Sequence, residues 1–97
     1  MIRRVVKLTF QEDQIEAFLS IFAESKKLIR QFPGCRHLEL WQCKQPSNVM
    51  MTYSHWESEE ALDAYRHSPL FKTTWAKTKV LFADRPEAWS LDQKHEL

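Results

Sequence analysis

The chain has 97 residues, with 14 basic side chains against 13 acidic ones and a formal charge of +1. That length implies one domain over residues 1–97, with a core that is adequate but not generous. Nearly balanced charge without a dense basic run excludes nucleic acid as the main partner, because phosphate binding needs a clustered basic footprint. Arg3-Arg4 and Lys26-Lys27 are pairs, not patches.

No stretch is long and apolar enough to span a membrane. The opening "MIRRVVKLTFQEDQ" has too short and interrupted an apolar run for a signal peptide. Cys35 and Cys43, if on one strand, lie ~26 Å apart, beyond the roughly 7 Å between Cα atoms that a disulfide allows. Free thiols fit a reducing, cytoplasmic setting. The closing "KHEL" is read as chance, since without a signal peptide a retention tail has no meaning.

From Ile2 to Phe10 the chain alternates, with Ile2, Arg4, Val6, Leu8 and Phe10 on one face, which predicts a strand. Gln14 to Phe32 reads as a helix whose inner stripe is Ile15, Phe18, Leu19 and Phe22, extended by Leu28, Ile29 and Phe32, with Asp13 as N-cap. Pro33-Gly34 ends it, and the lone glycine supplies a positive φ into the next strand.

Cys35 to Cys43 and Val49 to Trp56 form a hairpin around "KQPSN". In the expected register His37 faces His55, Glu39 faces Tyr53 and Trp41 faces Met51. One face carries Cys35, His37, Glu39, Trp41, Val49, Met51, Tyr53 and His55. The other carries Leu38, Leu40, Gln42, Met50, Thr52, Ser54 and Trp56. Neither is cleanly polar, as a solvated face should be. Helices cover one, and a second copy of the chain is the economical cover for the other.

Ser58 caps a short helix with Glu59 and Glu60 in its first turn. Ser68-Pro69 restarts it, and Leu70, Phe71, Trp75 and Thr78 share one face. "ADRP" breaks that helix, and Pro86 to Leu91 makes the last strand. The order is βαββαβ, an α+β ferredoxin-like sandwich with an antiparallel sheet.

"FPGCRHLELW" and "TYSHWESEEALDAYRHSPLF" resemble the antibiotic biosynthesis monooxygenase family of dimeric α+β barrels. The matching features are Pro33-Gly34-Cys35, the strand ending at Trp56, Ser58-Glu60-Ala61, and Ser68-Pro69-Phe71. The resemblance implies a homodimer packed through its sheet faces and a pocket between sheet and helices. Characterised relatives oxidise polycyclic phenols or quinols with O2, using neither metal nor flavin. Heme-cleaving relatives use Asn, Trp and His where ungapped matching places Lys7, Tyr65 and Trp75. A tryptophan cannot give the axial bond a histidine provides, so heme cleavage of that type is not expected.

Oxygenation without a cofactor needs an electron-rich, deprotonated substrate, a base or polarising hydrogen bond, and a dry aromatic site. Tyr65, His37 and His55 are the catalytic candidates; Trp56, Phe71 and Trp75 are the substrate-binding ones. The histidine pair with Glu39 reads first as a polar cluster at the interface or surface, second as a base with its orienting carboxylate, and last as the start of a metal site, for which two ligands are a weak signal. Trp56 and Trp75 also read as core, and His67 as a helix-end cation. No Gly-rich phosphate loop is present.

The expected activity is cofactor-independent monooxygenation of a small flat aromatic or quinol-type molecule, with no metal and no cofactor. The alternatives are a non-catalytic dimeric barrel binding a small apolar ligand, as in a stress response, and a cofactor-free isomerase.

Overall fold

Alternation along Ile2–Thr9 (β1) and Val49–Trp56 (β3) pairs these strands antiparallel at the centre of a sheet, from Ile2 opposite Trp56 to Thr9 opposite Val49. Cys35–Gln42 (β2) and Glu87–Leu91 (β4) flank them in the order β2-β3-β1-β4. Ile15–Arg30 (α1), Glu59–Arg66 (α2) and Pro69–Lys79 (α3) cover one face. This computed structural model describes residues 1–97. It is the antiparallel α+β ferredoxin-like sandwich that the element order implies.

The hairpin register agrees with the expected one: His37 opposes His55, Glu39 opposes Tyr53 and Trp41 opposes Met51. Cys35 departs from it. A bulge between Cys35 and His37 sets Cys35 opposite Trp56, and the extra residue turns its side chain to the helix side. There it is buried with Ile2, Trp56 and Leu62, not on the face of His37.

Five further expectations are corrected. Asp13 does not cap α1, because Glu12–Gln14 forms a 3-10 turn that carries the chain into the helix. Leu28 is 56% exposed, since the stripe of α1 passes through Ser25 and Ile29. Phe10 lies beyond β1, in an isolated bridge with Phe82. Cys43 and Pro86 fall just outside β2 and β4.

The core has two apolar clusters. Ile2, Cys35, Trp56 and Leu62 form one, with Phe32, Ala61 and Tyr65 against it. Leu8, Phe10, Phe18 and Met50 form the other, with Phe22, Trp75 and Phe82 among its neighbours. Gly34, with φ +90°, lets the first cluster close: a Cβ there would stand 2.4 Å from the Ala61 Cβ.

Candidate functional site

A cavity of about 270 Å³ opens between sheet and helices, lined by residues of both clusters. Alternation on β1 and β3 delivers Arg4, Val6, Thr52 and Ser54 to its floor. Helical spacing on α3 delivers Phe71, Trp75 and Thr78 to its wall.

The junction of the two short helices positions the key rings. The Ser68 hydroxyl accepts the Phe71 N–H at 3.1 Å and donates to the Tyr65 carbonyl at 2.6 Å. One side chain therefore ends α2 and starts α3, with Pro69 fixing the first turn. Tyr65 and Phe71 consequently meet edge to face at 5.3 Å between centroids. Tyr65 stacks on Trp56 at 4.9 Å, and Phe71 stacks on Trp75 at 5.6 Å and 12°. The Trp56 indole N–H donates to the Ser54 hydroxyl at 3.0 Å. The four aromatic candidates are thus one continuous wall.

Burial pushes the Tyr65 phenol up to about 12, with the nearby Cys35 adding to the rise. It stays protonated at neutral pH, so the hydroxyl is a potential hydrogen-bond donor and not a base there. No Asp, Glu or His lines the cavity; its charged lining residues are Arg4 and Arg66.

His37 and His55 are not part of this wall. They lie in odd register with Arg3 and Tyr53, and period-two alternation places them on the opposite sheet face. Their rings are 4.7 Å apart. Glu39 accepts hydrogen bonds from His37 and from the Trp41 indole, the latter at 2.8 Å. These bonds hold its carboxylate below the usual range. Burial, then the charges of Arg3 and His37, push His55 down, while Glu39 opposes them weakly. No group of three or more His, Cys, Asp or Glu is arranged to hold a metal ion.

Lys7 also points away from the cavity, since its β1 neighbours Val6 and Leu8 line it. With no histidine in the lining and Tyr65 protonated, these residues do not fit an axially ligated heme. The alternation of the sequence placed Arg4 on one face with Ile2, Val6 and Leu8 but gave it no role. A charge inside an apolar strand stripe was the available signal. Ser54 and Thr52 carried no signal beyond their alternation.

No helix is long and apolar enough to cross a membrane. The family model for antibiotic biosynthesis monooxygenases matches residues 1–77. No curated protein matches the chain. Among solved structures, a conserved protein of Methanosarcina mazei Go1 is similar, with TM-score 0.90 and 18% identity over 96% of this chain and 92% of that one. A Mycobacterium tuberculosis protein gives TM-score 0.89 and 19% identity, over 98% and 96% of the two chains. A structure described as an antibiotic biosynthesis monooxygenase gives TM-score 0.90 and 16% identity, over 96% and 98%. At such identities these likenesses establish the fold, and the family match establishes the kinship. The chain belongs to the antibiotic biosynthesis monooxygenase family.

Proposed function

We propose that this chain is a cofactor-independent monooxygenase acting on a small flat aromatic or quinol-type molecule. The observation that carries this reading is the cavity walled by Trp56, Tyr65, Phe71 and Trp75. Stacked rings suit a flat substrate, and an apolar enclosure suits chemistry that water would intercept. Tyr65 is assigned to donate a hydrogen bond to oxygen as charge develops there. For an anthrone-type methylene the balance is simple. The carbon loses two hydrogens and gains one atom of O2, and the second atom leaves with those hydrogens as water.

A second reading, a non-catalytic binder of an apolar ligand, draws support from the lack of Asp, Glu or His in the lining. The active partner of either reading is a second copy of the chain. The outer sheet face leaves Trp41 and Trp89 each 43% exposed, more aromatic surface than a solvated face carries.

Oxygen uptake with a panel of anthrones, hydroquinones and catechols tests the proposal. The expected result is protein-dependent uptake with one product oxygen derived from O2. Protein-dependent turnover under argon would make the chain an isomerase. Saturable binding without turnover of any bound member would favour the binder.

A further inference from the structure

Resting on the reading of the cavity as the ligand site, we infer that the bound molecule is an anion: a flat apolar body carrying a carboxylate or acidic phenol that seats against Arg4 and Arg66.

The lining is apolar apart from hydroxyls and these two guanidiniums. Three of its six hydroxyls already have partners within the chain: Ser25 donates to the Ile21 carbonyl at 2.9 Å, Thr78 to the Thr74 carbonyl at 2.8 Å, and Ser54 accepts from Trp56. The guanidiniums are different. The ion pairs of the chain are Arg36–Glu57, His37–Glu39 and His67–Asp63, so neither Arg4 nor Arg66 has a carboxylate partner. Arg4 gives one bond, at 3.0 Å, to the Ser90 hydroxyl, although a guanidinium carries five donor hydrogens.

Arg4 is also poorly placed as a cation. Burial lowers its pKa first, the charge of Arg66 lowers it further, and only Glu59 opposes. Glu59, Glu60 and Asp63 do lie close by, but they line a separate surface groove with Arg66 and Ser90 rather than the cavity. Two like charges at one apolar cavity, with no acid in its wall, are a cost that an anionic ligand removes. Arginine's planar fork matches a carboxylate and stacks well on aromatic ligands. The rings would select the flat body, and the two arginines its charged end.

The test compares two dyes of one shape, 1-anilinonaphthalene-8-sulfonate and its uncharged parent N-phenyl-1-naphthylamine. The sulfonate stands in for the carboxylate. The expected result is about tenfold tighter binding of the anion, lost in Arg4→Gln and in Arg66→Gln, with the neutral dye unaffected. Arg66 is exposed at a helix end, so its variant keeps the test alive if Arg4→Gln does not fold. Equal affinity for the two dyes, unchanged in both variants, overturns the inference and leaves the cavity as a ligand site. Binding of neither dye overturns the cavity reading and the inference with it. Loss of the anion's advantage in Arg3→Gln instead would put the dye on the outer face and also overturn it.

Discussion

Trp56 and Tyr65 lie face to face, 4.9 Å between centroids and 26° between planes, yet they come from a sheet strand and a short helix. Trp56 is 1% exposed and closes the first core cluster. Tyr65 packs against that cluster and reaches the cavity. The pair therefore joins the part of the molecule that holds the fold to the part assigned to the ligand.

This split separates two substitutions. Trp56→Ala removes a buried ring and the donor to Ser54, and should cost about 3–5 kcal/mol in urea unfolding. Tyr65→Phe keeps every ring contact and should change stability by less than about 0.5 kcal/mol. If Tyr65 donates to developing charge, that same variant should lose on the order of 10²-fold in turnover. A loss of stability equal to that of Trp56→Ala would make Tyr65 a core residue and nothing more. The unfolded phenol releases its proton near 10 and the folded one near 12. Stability should therefore fall as pH rises between those values, while the contribution of Tyr65 to turnover should not titrate below pH 10.

Gly34 and Ala61 make a close steric contact. Gly34→Ala must hold a Cβ at φ +90° and 2.4 Å from the Ala61 Cβ, and should lose about 2 kcal/mol or more. Ala61→Gly in a helix should cost about 1 kcal/mol alone. In the Gly34→Ala background it should cost less, because it relieves the clash. Strict additivity of the two changes would show that the close approach is not what the glycine is for.

The two thiols should differ sharply. Cys43 is exposed, whereas Cys35 is 5% exposed and burial pushes its thiol up. Ellman's reagent should release one equivalent quickly and the second at least about 10²-fold more slowly, unless urea is added. A Cys43→Ser variant that still reacts fast would place Cys35 at the surface and undo the bulge.

The hairpin register and the inner stripe of β1 were legible because period two and turn chemistry act locally. Cys35 was misplaced because a bulge depends on what the strand end must reach, here the cluster of Ile2, Trp56 and Leu62. The aromatic wall was legible because Ser68-Pro69 and the helical spacing bring Tyr65, Phe71 and Trp75 together. The histidines were legible as a pair on the hairpin face opposite Trp56, but not as lying on the face that the helices leave uncovered. Pairing names the neighbour across the strands, while membership of a site depends on which face the helices cover.

That outer pair carries the last prediction. His55 accepts a hydrogen bond from Arg3 and faces His37 across the hairpin, with Glu39 as the nearby acid and Tyr53 packed edge-on at 4.9 Å. Its pKa lies below the ordinary 6.5, so the folded state holds fewer protons than the unfolded one as pH falls below that value. Stability on this face is therefore present above about 6.5 and is lost as pH falls towards the folded value. If a second copy covers the face, charging His55 beside Arg3 should also weaken the dimer. Sedimentation should give a dimer at about pH 7.5 and at least tenfold weaker association at about pH 5. His55→Gln should flatten much of that dependence, since it cannot take the proton. A dimer with the same affinity at both pH values would place the interface elsewhere, and a monomer at both would leave the exposed Trp41 and Trp89 without a second copy to cover them.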